Sequence, residues 1–552
     1  MKTIKAILLV TALSIFLFSC FSDFIPGEGS IVRSYARIKL NLGNTSARSG
    51  FNPGVYHITI KDSAGIYKVI ENYTSGEIIE VPRGLLTIEA RTFGDGTVYN
   101  NYITGLLEGL DIEDTDEHFP DNKIQISFGT VDVTIRGGGL TDEAPIIYMG
   151  EGIQEANNWS QLLAIAHFLN EGGTLEIRLK GGNYNAYTPC VIDNGKNITL
   201  IADGDVVIMR TEDDFKYYDD GYIYSTYLYN VFYIDNGNLT LGSTDMKDTL
   251  TIDGTFEEMK NYTAHALNAI IYIIDGTLEM NNNVILENGD SFAVYMNGGN
   301  FTMSGGIIKK NTSGVYVNDG NFTMSGGTIS DNGREGLNIG GGGVSLSGES
   351  VFEMSGSATI SNNIANNGGG VYVYRESTII MSGNATISNN TAEEVDIGYV
   401  DKGGRGGGVY LSPGESGMSG GILTMDGNAN ISENIAIDGG GVYVSGGGNQ
   451  WWVVSNWHDT PSATLIMNGG TISGNTAQNG GGVFLERGFE RNIRPIIGNN
   501  GPIEGGNFYM YAGTASGNTA VFGREVYIQE TLDDGMEGFF SGSFTDGVEY
   551  GD

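Results

Sequence analysis

"GGTISGNTAQNGGGVFL", from Gly469 to Leu485, is the stretch on which the fold turns. It holds too much glycine for a helix and too many breaks for one ordinary strand. Close variants precede it: "GGTISDNGREG" from Gly326, "ATISNNIANNGGGVYV" from Ala358 and "ANISENIAIDGGGVYV" from Ala429. Such recurrence marks a repeat architecture, in which each unit hides its apolar edge against the next.

The repeat has three strands. The first carries aliphatic pairs such as Val315/Val317, Val371/Val373, Val442/Val444 and Val483/Leu485. The second is apolar-x-Met, as in Phe301/Met303, Phe322/Met324 and Leu465/Met467; the third is Ile-Ser-x-Asn, as in Ile329–Asn332 and Ile472–Asn475. Side chains alternate along a strand, so these residues face inward and their neighbours outward. The spacing of the first valines drifts from 21 residues, Val294 to Val315, to 43, Val483 to Val526. A globular sheet would not tolerate that drift. A solenoid does, because only the strands must stay in register while corners bulge. Roughly a dozen coils at about 4.8 Å each would make a rod of order 60 Å. Glycine and asparagine are expected at the corners for their tolerance of left-handed backbone angles. The reading is an all-β chain whose residues 174–552 form a parallel β-helix with a C-terminal cap.

Upstream, "MKTIKAILLVTALSIFLFSC" has the basic start and short apolar run of a secretory signal. "LFSC" resembles the lipobox of bacterial lipoproteins, in which the cysteine, here Cys20, is lipidated; Phe18 stands where that motif usually has a small residue. The resemblance implies attachment to a membrane through lipid on Cys20, with plain secretion as the alternative. Cys190 then has no partner and is expected to be a buried small hydrophobe. Residues 21–30 read as a tether. Residues 31–137 alternate with period two, as in "ARIKLNL", and suggest a small antiparallel, Ig-like β-sandwich acting as a spacer. Within 138–173 one helix is expected: Asn158 at the N-cap with Gln161 three residues on, Trp159, Leu162, Leu163, Ala166 and Leu169 on one face, and "EGG" from Glu171 at its end. A lone helix before a repeat array reads as the cap of an otherwise open stack.

Glycine is 86 of 552 residues and the formal charge is −37. With 40% hydrophobic residues the chain is a folded one. The acidic balance excludes nucleic acid, whose binders cluster Lys and Arg. The chain is expected to be monomeric.

"ISGNTAQNGGGV" resembles the Phe-x-x-Asn and Gly-Gly-Ala-Ile repeat of the chlamydial polymorphic outer membrane proteins, with Ile472 at the phenylalanine position, Asn475 at the asparagine, and Gly480, Gly481, Gly482 and Val483 in the second block. The resemblance covers about 268–528. It implies a right-handed parallel β-helix displayed at a cell surface. Those proteins typically end in a membrane barrel, for which the sequence after the repeats leaves no room, so display here would rest on Cys20.

Two candidate sites follow. Outward residues of the first strand, Tyr295, Tyr316, Tyr372, Tyr410, Tyr443, Phe484 and Tyr527, form an aromatic ladder, either stacking that stabilises the coils or a flat strip for sugar or protein. The corner between first and second strands lengthens toward the C-terminus, from 5 residues (Met296 to Phe301) to 23 (Leu485 to Phe508). Its two longest loops hold Trp451, Trp452 and Trp457, then Arg487, Phe489, Arg491 and Arg494. Tryptophan and arginine dominate binding hot spots, and loops on a rigid scaffold commonly carry them. The alternative is a local cap of folded-back tryptophans. Calcium at the acidic pairs of 213–235 finds no supporting spacing. No metal, cofactor or nucleophile motif is present, and outward positions lack the paired carboxylates of glycoside hydrolysis. The expectation is a non-enzymatic cell-envelope lipoprotein binding an unidentified protein or glycan; the alternative is a secreted polysaccharide-degrading β-helix enzyme.

Overall fold

The computed structural model describes residues 35–44, 56–110, 112, 117–135, 146–151, 153–211, 230–255, 269–333, 340–394, 403–414, 418–450, 458–486, 489–490, 506–524, 526–529, 538–540, 543–544 and 548–551. Cys20, the signal and the tether lie outside them. Among the described residues the regular elements are strands, apart from two α-helices and one 3-10 turn. The chain divides into two compact units.

The first unit holds the segments up to Arg91 and from Gly129 to Met149. Tyr35–Lys39 pairs antiparallel with Ile78–Pro82. A second sheet orders Asn41–Asn44, Ile146–Glu151, Lys123–Ile135, Gly84–Asp95, Tyr56–Asp62 and Gly65–Tyr73. Period-two alternation does what the sequence suggests: Ala36, Ile38 and Leu40 are buried while Arg37 and Lys39 are exposed. They share one core with Ile58, Ile60, Ile88 and Ala90. Two features depart from an antiparallel sandwich over 31–137. Asn41–Asn44 runs parallel to Ile146–Met149, and Thr92–Phe128 belongs to the other unit.

That excursion contains an unexpected helix, α1 (Thr97–Gly109). "TVYNNYITG" is rich in β-branched and aromatic residues, so local propensity points to a strand. Burial overrides it: Asn100, Ile103 and Leu107 fall on one buried face, and Asp95 Oδ1 accepts from the Thr97 amide at 2.9 Å. The expected helix is α2 (Trp159–Phe168). Asn158 Oδ1 accepts from the Gln161 amide at 2.9 Å, while the Gln161 side chain accepts from Asn157, one residue before the cap. All eight residues from Trp159 to Ala166 are buried rather than a single face. Ile103 and Leu107 of α1 share one core with this helix and with strand residues such as Ile177 and Ile192. At the C-terminal end of α2, Tyr99 of α1 packs edge-on to Phe168 at 4.8 Å and Tyr102 stacks on His167 at 4.4 Å. Trp159 Nε1 donates to Thr188 O at 3.0 Å. Two helices, rather than one, therefore precede the long run of parallel strands.

Beyond these helices most of the described strands of the second unit form one large sheet of parallel strands running in three ladders, with three small sheets beside it. Pairing begins before α2, where Ile153–Ala156 lies against Glu176–Leu179. In the first ladder Tyr272, Tyr295 and Tyr316 share one register line, and Tyr372, Tyr410, Tyr443, Phe484 and Tyr527 continue it beyond Ser345. The second ladder aligns Met280, Met303, Met324, Met354, Met381, Met425, Met467 and Met510, and the third aligns Ile308, Ile329, Ile360, Ile387, Ile431 and Ile472. All these Met and Ile side chains are fully buried, as are Val315 to Val483 of the aliphatic pairs. Phe301, Phe322 and Phe352 stack within at 4.6 and 4.5 Å.

The corner asparagine has a different role from the one expected. The left-handed residue is the x of Ile-Ser-x-Asn: Asp331, Asn362, Asn389 and Glu433 have φ of 56–58°, and Gly474 and Gly517 have 67°. The asparagine itself turns inward. Asn311, Asn332, Asn363, Asn390, Asn434, Asn475 and Asn518 are buried. Asn332 gives both its amide N–H and its Nδ2 to Asn363 Oδ1, each at 3.0 Å, and Asn363 repeats this on Asn390 at 3.0 and 2.9 Å. A buried side chain that must donate to two acceptors and accept twice can only be an amide. The glycine run splits likewise: Gly368 has φ 62°, whereas a Cβ on Gly370 would stand 2.6 Å from Gly408 O in the next repeat.

Candidate functional site

The aromatic ladder is two stacks. Tyr233, Tyr272, Tyr295 and Tyr316 lie ring over ring with centroids 5.6, 5.0 and 4.8 Å apart. Ser345 interrupts them. Tyr372, Tyr410, Tyr443 and Phe484 then stack at 5.0, 5.3 and 4.9 Å. Tyr527 shares the register of Phe484; its side chain lies outside the described residues. Outward from the strand does not mean exposed: Tyr410, Tyr443 and Phe484 are buried and Tyr372 is half-buried. This part of the ladder offers no flat strip to a ligand.

Polar groups cover the second stack. The Arg405 guanidinium lies 5.6 Å from the Tyr443 ring centroid. The Ser445 hydroxyl donates to Glu486 Oε2, and the Glu486 charge acts on both the Tyr443 and the Tyr410 phenols. The Gly446 amide donates to the same oxygen at 3.3 Å. Burial first, then the Glu486 charge, pushes the Tyr443 phenol well above its ordinary value of 10.0, while Arg405 opposes this. Tyr410 moves up through burial, then through Tyr372 and Glu486. Burial, reinforced by Tyr316 and Tyr272, lifts Tyr295 to about 12. All three are held as neutral phenols. Cys190 is buried too, and burial raises its thiol to about 12, making it an inert hydrophobe.

The long loops begin at this polar cluster. Gly448–Gln450 pairs antiparallel with His458–Thr460, so the first loop starts and ends as a hairpin. Phe489–Glu490, from the second loop, joins the same strand in parallel, Gly448 opposite Phe489 and Asn449 opposite Glu490. Two loops separate in sequence thus form one three-stranded sheet. Trp451, Trp452 and Trp457 fall between the strands of the hairpin in sequence, and Arg487, Arg491 and Arg494 flank Phe489; these six lie outside the described residues, as do 213–229 of the acidic aromatic stretch.

No family model, curated protein or solved structure matches the chain.

Glu486, Ser445 and Arg405 were not singled out from sequence. A signal for Glu486 does exist, since a carboxylate there follows a strand that in neighbouring repeats is followed by Ser412 or Ser445.

Proposed function

We propose that this chain is a non-enzymatic, lipid-anchored cell-envelope protein in which the three ladders close as a right-handed parallel β-helix presenting a loop platform to a protein or glycan ligand. The β-helix reading is supported by the strict order of pairing, first with first, second with second and third with third. Its hand is supported by the near-universal right-handedness of parallel crossovers. The observation that carries the binding reading is the three-stranded sheet shared by the two longest loops. Loops that merely tolerate length have no reason to pair with each other; loops that act together do. Their tryptophans and arginines suit a binding hot spot, and an acidic chain is soluble but repels anionic surfaces. The likeness to the chlamydial repeat supports display, and Cys20 would supply the anchor, with the protein acting as a monomer.

The test is a glycan-array and surface-protein screen with a product assay on every hit, followed by the Trp451→Ala/Trp452→Ala double variant. Retention without turnover, abolished in the variant at unchanged melting temperature, is expected. Turnover of a bound polysaccharide would replace this reading with a degrading enzyme. A lowered melting temperature with binding retained would make the tryptophans a local cap.

A further inference from the structure

The two long loops meet at their base. One carboxylate touches the root of each. Glu486 is the last described residue before the second loop, and its Oε2 accepts from Ser445 and Gly446, the first residues of the earlier loop. Its backbone is engaged on both sides: the Glu486 amide donates to Val444 O at 2.9 Å, and Glu486 O accepts from the Gly506 amide, where the second loop returns, at 2.9 Å. The first loop's return is tied to the same place, with Ala463 N donating to Ser445 O at 3.0 Å and Gly447 N to Ser462 Oγ at 3.0 Å. Beneath them the stack is joined through the same strand, where Phe484, two residues before Glu486, lies ring over ring with Tyr443 at 4.9 Å. Three of the four loop ends thus meet at Glu486 and the fourth is bonded to Ser445 and Gly447 beside it, three residues before the strand that joins the shared sheet begins.

We infer that Glu486 is a positioning residue that locks the two long loops into one platform and sets that platform on the tyrosine stack. Bonds to a charged acceptor are stronger than neutral ones, and one carboxylate oxygen here serves a hydroxyl and an amide of the other loop. Without it the Ser445 hydroxyl and the Gly446 amide lose this acceptor together. The two-residue pairing of Gly448–Asn449 with Phe489–Glu490 is too short to hold alone. The inference rests on the platform reading above in calling the loops functional, but the lock itself is testable with no ligand.

Amide hydrogen exchange on the full chain is the measurement, comparing wild type with Glu486→Ala and Glu486→Gln. In Glu486→Ala, exchange at 448–450 and 489–490 should quicken by roughly ten- to a hundredfold, the loss expected when buried donors are orphaned. Strands Val442–Val444 and Val483–Leu485 should stay at the wild-type rate. Glu486→Gln keeps an acceptor oxygen and should restore most of the protection. Equal quickening of loops and ladder strands would show Glu486 to be an ordinary stabiliser of the stack and overturn the lock. So would unchanged exchange in the loops. Neither outcome bears on the ligand: if the tryptophan double variant loses no binding while Glu486→Ala loosens only the loops, the lock stands and the binding reading falls.

Discussion

Two turns in the ladders, the step from the third strand into the buried asparagine and the corner between first and second strands, obey opposite rules. From the isoleucine of the third strand to the buried asparagine is three residues in each repeat from Ile308 to Ile472, Ile329 to Asn332 as much as Ile472 to Asn475. From first to second strand the separation grows more than fourfold along the chain. The difference lies in what each corner puts inside. The asparagine corner closes a chain of buried amides in which each residue is bonded through both backbone and side chain to the next repeat, so one extra residue would misplace every amide. The other corner buries single serines, such as Ser350 and Ser377, that bond a backbone carbonyl of the preceding repeat without forming a side-chain-to-side-chain chain, and loop length alone costs little. Regularity marks where a continuous chain of buried amides runs; variation marks where the protein can carry something new.

That contrast can be broken at several depths. The largest effect is expected from Asn363→Leu. It leaves the Asn332 amide and Nδ2 without their acceptor and should cost about 2–5 kcal/mol by chemical denaturation. A loss under 1 kcal/mol would mean that the amide column is ornamental. Next comes Gly370→Ala, whose Cβ meets Gly408 O at 2.6 Å and Ile387 Cγ2 at 2.8 Å; about 1–3 kcal/mol is expected from overpacking. Gly474→Ala isolates the backbone term, because its Cβ would meet nothing nearer than 3.5 Å and only its φ of 67° is unfavourable. About 1 kcal/mol should be lost. If Gly370→Ala and Gly474→Ala cost the same, close approach is not what the glycine run is for.

Alkaline titration probes the stack more gradually. The folded-state phenols of Tyr295, Tyr410 and Tyr443 lie above their ordinary value of 10.0, so the unfolded chain releases those protons first. Their contribution is complete below pH 10 and declines as the pH rises from there toward the folded-state values. Tyrosinate absorbance should lag in the native protein, and denaturation midpoints should fall over the same range. The smallest effect belongs to the permissive corner: a four-residue Gly-Ser insertion between Glu415 and Ser416 should shift stability by no more than about 0.5 kcal/mol.

Periodicity made the ladders legible. Every Val, Met and Ile position named from alternation and described in the structure is buried. It failed where a partner remote in sequence sets the outcome. "TVYNNYITG" reads as a strand until α2 lies beside it, and the tyrosines count as outward until Arg405 and Glu486 cover them. The loop site was visible only as length and composition; that its two loops share a sheet depends on register between Gly448 and Phe489, which no pattern within either loop encodes.

By itself, then, the sequence determined which residues repeat, which of them turn inward and where length is free to vary, because those follow from the two-residue period of a strand and the turn chemistry of a few residues. Only the tertiary structure decided that the corner asparagine is an interior link rather than a turn former, that outward tyrosines are enclosed, and that one carboxylate gathers two loops. Each of these depends on what the next repeat supplies a few ångströms away, and hydrogen bonds and desolvation are settled by neighbours in space.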